Sequence, residues 1–168
     1  MGCDIHIFVE YRDNNQMSPQ VTWSSLYPDA FNPGRNYELF SKLSGVRGDN
    51  ANPIANPGWP KDASWSAEYA NTIYVTTEEA KVGFEKRVLM STAERWVNSN
   101  QSQWVYNITG NITGVTNPDW HSHGWCTVEQ MSKALRKNSN PAYRAMMAAA
   151  RSLEKDNMEV RLLFFYDN

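Results

Sequence analysis

Two strand signals at opposite ends of the chain constrain the fold most. The run Met158 to Asn168 (MEVRLLFFYDN) is apolar on both faces, the composition of a strand inside a sheet rather than at its edge. The run Met1 to Tyr11 (MGCDIHIFVEY) alternates. Successive strand side chains point to opposite faces. Cys3, Ile5, Ile7, Val9 and Tyr11 therefore share an apolar face, and Asp4, His6, Phe8 and Glu10 share the other. Each run needs a sheet neighbour, and each is the other's best partner. The expected fold is α+β, a mixed or antiparallel sheet with the N- and C-terminal strands central and helices packed on one face. No βαβ alternation supports a doubly wound sheet.

The intervening segments supply the helices. Asn36 is an N-cap for a short helix whose Leu39, Phe40 and Leu43 share a face, and Gly45 ends it. Thr127-Val128-Glu129-Gln130 has the capping-box pattern, with Val128, Met131 and Leu135 as the buried face. Asn140-Pro141 opens another helix, with Met146, Ala150 and Leu153 as its stripe. The apolar spacing of Val82, Leu89, Ala93 and Trp96 predicts a helix over 78–97, against which Gly83 counts. A weaker strand is expected around Val21-Thr22-Trp23 and another at Trp104-Val105-Tyr106. A turn is expected over Asp13–Gln16, and a loop or hairpin tip over the tandem Asn-Ile-Thr-Gly pair at 107–114. The stretch 47–64, rich in Asn, Pro and Gly, is too long for an ordinary connection.

At 168 residues the chain reads as one domain, 1–168. A formal charge of −2 argues against a protein that holds long nucleic acid by neutralising phosphates, but it leaves room for a small nucleotide in a local basic pocket. Seven Trp, eight Tyr and six Phe serve the core first, and a few of them suffice to stack a base. Cys3 and Cys126 make no disulfide scaffold. Asp4 and His6 interrupt the place of a signal-peptide core, and no apolar run is long enough to span a bilayer. The expected setting is the reducing cytoplasm, with no membrane partner. Homo-oligomerisation stays open.

The candidate chemistry rests on three histidines. His121 and His123 stand two apart in Trp120-His121-Ser122-His123-Gly124-Trp125, where Pro118 and Gly124 disfavour a helix, so an extended segment points both rings the same way. Two same-side imidazoles either bind a metal or act as acid and base. With His6 and Asp4 they form a His/His/His/Asp set suited to zinc or another divalent ion. The preferred mechanism needs no cofactor. One imidazole takes a proton from an attacking hydroxyl, the other returns one to the leaving oxygen, and a cation stabilises the phosphorane. Asp4 is expected to orient the His6 ring. Arg47 is the favoured cation because Gly45-Val46-Arg47-Gly48 presents it from a turn; Arg35, Arg161 and Lys61 are the others, and Trp125 joins the substrate-binding set. The plain alternatives are a core histidine satisfied by a carbonyl, a solvated loop arginine and a buried structural thiol at Cys126.

The blocks MGCDIH, RNYELF followed by SGVRG, HSHGW and VRLLFFYDN together resemble a family of small proteins that recur in phage and prophage genomes. The blocks span the chain. The resemblance implies a viral origin, and hence the cytoplasm of an infected bacterial host. It also implies a set of positions to follow: Cys3, Asp4, His6, Arg35, Asn36, Arg47, His121, His123, Trp125, Asp167 and Asn168. Gly124 departs from the pattern, since similar sequences carry Ser there. Small phage proteins of this size often counter bacterial immunity. The expected function is therefore an immune-evasion phosphodiesterase acting on a small nucleotide signal of cyclic-dinucleotide or ADP-ribose type. The alternatives are a non-catalytic nucleotide sponge using the same pocket, a metal-dependent hydrolase, and an inhibitor that binds a host protein.

Overall fold

A computed structural model of the chain describes residues 2–15, 22–26, 31, 34–82, 86–107 and 109–167. In chain order the elements are β1 (Asp4–Asp13), β2 (Ser24–Ser25), α1 (Tyr37–Ser44), β3 (Asn56–Pro57), α2 (Trp65–Asn71), β4 (Thr72–Thr76), a 3-10 turn (Glu79–Lys81), β5 (Arg87–Leu89), α3 (Met90–Asn98), β6 (Trp104–Tyr106), β7 (Ile112–Thr116), β8 (Trp120–Thr127), α4 (Val128–Ala134), α5 (Pro141–Lys155) and β9 (Met158–Asp167). The architecture is α+β, as expected, with one antiparallel and one mixed sheet. The chain divides into two compact units, one built from residues 1–67 and 121–168 and the other from 68–120.

The first unit holds a sheet of order β2-β1-β9-β8-β3. The two end segments pair antiparallel along their whole length, from Asp4 opposite Asp167 to Asp13 opposite Met158. On one face Cys3, just before β1, Ile5, Ile7 and Val9 of β1 and Val160, Leu162, Phe164 and Tyr166 of β9 meet the apolar sides of α1, α4 and α5. Burying each such side chain contributes about 1.5–3 kcal/mol. The helix ends follow the local signals. The Asn36 side chain accepts from the Leu39 amide, and Gly45 closes α1 at φ 71°. Thr127 and Gln130 form a complete capping box, and Asn140 caps α5 with Pro141 in its first turn.

The second face of this sheet is buried as well, at Phe8, Glu10, Leu163 and Phe165. The chain around 59–64 and Trp23 help to cover it. Glu10, fully buried, accepts from Arg161 Nε at 2.7 Å and from the Ser64 amide. Arg161 also donates to the Asp62 carboxylate at 2.9 Å, and Trp23 Nε1 donates to the other Asp62 oxygen at 2.9 Å. Burial works to raise the Asp62 carboxyl, but the bonds from Arg161 and Trp23 outweigh it and hold the group below its ordinary range. The guanidiniums of Arg161 and Arg12 lie over the Trp23 ring at 3.9 and 4.4 Å. The stretch 47–64 is tied to the unit by the Ile54 and Ala55 amides, which donate to Lys42 and Leu43 carbonyls, and by β3 against β8. The expected strand near Trp23 forms two residues later, at β2, opposite Glu10 and Tyr11. Val21 and Gln16 lie outside the described residues, as does Asn168.

The second unit holds a sheet of order β5-β4-β7-β6, with β4 and β5 parallel and the other pairs antiparallel. The single helix expected over 78–97 is not formed. A 3-10 turn, β5 and α3 take its place, while Gly83 lies outside the described residues. Val88 pairs beside Val75 of β4, so a ladder supplied by a distant segment overrides the local helical period. The Asn107 side chain accepts from the Thr109 and Asn111 amides and closes the β6–β7 turn; Ile108 lies outside the described residues. Ile112 to Gly114, the second member of the tandem pair, is in β7.

Candidate functional site

One end of the first sheet gathers most of the expected positions. The β1–β9 register sets Asp167 opposite Asp4. Its carboxylate accepts from the Asp4 amide at 3.0 Å through Oδ1 and meets His6 Nε2 at 2.9 Å through Oδ2. Burial pushes this carboxyl up, but the His6 bond, the Asp4 amide and the charges of His6 and Arg35 outweigh it and leave Asp167 below the ordinary carboxylate range. Asp167, not Asp4, orients the His6 ring. The Asp4 carboxylate instead pairs with Arg35 Nε at 2.9 Å. The reason is geometric: Asp4 and His6 follow one another along a single strand face, whereas Asp167 reaches across the ladder. The side chains of His6 and Asp167 are 22% and 32% exposed, so a ligand can reach the pair from solvent.

Arg35 lies directly over Gly2, where any Cβ would fall 2.0 Å from the guanidinium carbon. Arg47 is exposed, in a left-handed turn at φ 56° just after α1. Its side chain hydrogen-bonds the Cys3 thiol, which burial raises above its ordinary value and Arg47 partly lowers. Two guanidiniums, two carboxylates and one imidazole are thus set around Gly2, Cys3 and Asp4.

The Trp120–Trp125 segment is extended, as its composition predicts, but its two imidazoles do not point the same way. Ser122 has a φ of 51°, which breaks the alternation between them. The His123 ring lies against Phe165, with centroids 5.6 Å apart, and edge-on to Trp59 at 5.6 Å. The His121 ring stacks over Tyr166, a residue of the opposite, helix-covered face, at 5.9 Å. His6 stacks on Phe165 from its other side, at 5.1 Å. His6 and His123 therefore flank one aromatic ring on neighbouring strands, about 10 Å apart by strand spacing. Burial, followed by the charge of His121, pushes the His123 pKa down to about 4, so His123 is neutral at pH 7. His121 Nδ1 is 2.9 Å from Ser122 Oγ.

The remaining expected residues fall elsewhere. Arg161 is six residues along β9 from Asp167, about 20 Å away, and is engaged with Glu10 and Asp62. It does not join the His6 end. Trp125 is half-buried on β8, opposite Asn56 of β3. Lys61 is exposed beside Asp62. Cys126 is buried, which raises its thiol to about 12 and makes it a poor nucleophile. Among the described residues no three His, Cys, Asp or Glu side chains are gathered as a metal ion requires, so His6, His121, His123 and Asp4 do not form the expected set. Asp167 is the functional candidate that residue patterns alone missed. The resemblance singled it out without a role, and its signal among the residues themselves was the acid closing the terminal strand. No protein-family model, curated protein or solved structure matches the chain. No described helix is long and apolar enough to cross a membrane.

Proposed function

We propose that this protein binds a small nucleotide signal, of cyclic-dinucleotide or ADP-ribose type, at the His6 end of the first sheet and cleaves its phosphodiester without a metal. The observation that carries the reading is the His6–Asp167 pair with Arg35 on the neighbouring Asp4, and Arg47 on the Cys3 thiol at the same strand end. With Nε2 held by Asp167, His6 exchanges its proton with substrate through Nδ1. It takes the proton of the attacking hydroxyl, and Asp167 stabilises the imidazolium that results. Arg47 and Arg35 face the phosphate oxygens and the charge that grows on them. The imidazolium so formed, or solvent, returns a proton to the leaving oxygen, since His121 lies over Tyr166 on the other sheet face. His123, kept neutral by burial, serves as packing against Phe165 and Trp59.

The resemblance to phage proteins supports an immune-evasion role in the cytoplasm of an infected bacterium. A non-catalytic sponge is the second reading, favoured by Trp59 and His6, the partly exposed ends of a ring series through His123 and the buried Phe165 with centroids 5–6 Å apart. Incubation with a panel of cyclic dinucleotides and ADP-ribose variants, followed by denaturation and chromatography, separates the two. Cleaved nucleotide supports the phosphodiesterase, and intact nucleotide released from a tight complex supports the sponge.

A further inference from the structure

The helical side of the first unit carries a second basic feature, on the opposite sheet face from His6. A groove of about 520 Å³ runs between α4 and α5, within the roughly 300–1,000 Å³ of small-molecule sites. Arg136, from the turn after α4, and Arg144 and Arg151, from α5, line it. Arg144 and Arg151 are seven residues apart, two helical turns or about 10 Å, and so lie on one face of α5. All three are exposed, and among the described residues none that lines the groove is acidic. The bond these arginines make within the groove is to a neutral group, Arg151 Nη2 to Ser132 Oγ at 2.7 Å.

We propose that this groove is a second ligand site, taking a small phosphorylated molecule through Arg136, Arg144 and Arg151. Three guanidiniums without a facing carboxylate repel one another, and a bound anion removes that repulsion. In a chain of net charge −2 the cluster is a local reversal of sign. The planar fork of arginine matches phosphate oxygens two at a time. Leu135 and Met147, 9% and 6% exposed, lie at the floor, so a ligand meets apolar surface beneath the guanidiniums. The guanidiniums take the anion and the apolar floor takes a small organic body joined to it, which favours a compact phosphorylated molecule.

Calorimetry on the full chain with inorganic pyrophosphate and with ATP tests the site, the first as a bare anion and the second as a phosphorylated organic body. The expected result is binding of at least one probe, with amide shifts confined to residues 132–151. It should weaken tenfold or more in Arg144→Glu/Arg151→Glu and keep its strength in His6→Ala. The pair Arg144→Ala/Arg151→Ala, expected to show the same direction, serves if the charge-reversed protein does not fold. Binding of neither probe, binding unchanged by both arginine pairs, or binding lost in His6→Ala would each overturn the proposal.

Discussion

His6 and Asp167 are 161 positions apart in the sequence, and their side chains meet at 2.9 Å. The contact belongs to the longest ladder of the fold, in which one carboxylate serves two groups of the facing strand, the Asp4 amide and the His6 ring.

Asp167→Asn keeps an oxygen for the Asp4 amide and removes the charge beside His6. If His6 is the base of a phosphodiesterase, turnover falls by ~10²–10⁴-fold. Substrate capture changes far less, because the charge on the imidazole develops only during reaction. Separate determination of kcat and KM on the variant checks this. An unchanged kcat would remove Asp167 from the mechanism.

Stability should depend on His123 in mildly acidic solution. Folded, this ring titrates near 4; unfolded, near its ordinary 6.5. Between those values the unfolded chain binds the proton and the folded one does not. The contribution is therefore complete above about pH 6.5 and is lost as pH falls toward 4, on the order of 3 kcal/mol in all. Measured across that window, the urea midpoint of wild type should fall relative to that of His123→Phe as pH drops.

The buried Glu10–Arg161 pair should behave asymmetrically. Removing one partner, as in Arg161→Met, leaves Glu10 charged and buried and costs about 3–5 kcal/mol. The double variant Glu10→Leu/Arg161→Met should recover a large part of that loss. A double-mutant cycle in denaturant gives the coupling directly, and additive single effects would show that the pair is not coupled.

Gly114 in β7 is packed against β4. A Cβ there would lie 2.5 Å from the Ile73 carbonyl oxygen, a backbone atom that cannot swing aside. Gly114→Ala should cost about 1–3 kcal/mol by forcing the two strands apart. Loss of amide protection at Thr72 to Tyr74 in hydrogen exchange locates the effect.

Elements encoded by neighbouring residues were legible in the sequence. The caps at Asn36, Thr127 and Asn140 need three or four consecutive positions, and the alternation of β1 declares which face meets the helices. Features set by a distant segment were not. Residues 87–89 leave the helical pattern because β4 pairs with them. Arg161, plausible as a phosphate ligand from its charge, is taken up by Glu10, a partner fixed by strand register alone. The same register puts Asp167 rather than Asp4 on His6. The opposed directions of His121 and His123 turn on a single backbone angle at Ser122, a residue type that carries no strong signal for it.

Pairing β1 with β9 also imposes an order on vectorial synthesis. The strand Asp4–Asp13 leaves the ribosome long before its main partner exists, with β2 matching only Glu10 and Tyr11 in the meantime. Residues 68–120 form their unit from one continuous stretch, so their sheet is complete while the first still lacks its central strand. Ile5, Ile7 and Val9 thus wait on the nascent chain for α4 and α5 to cover them and for β9 to pair with their strand, an interval in which folding competes with aggregation.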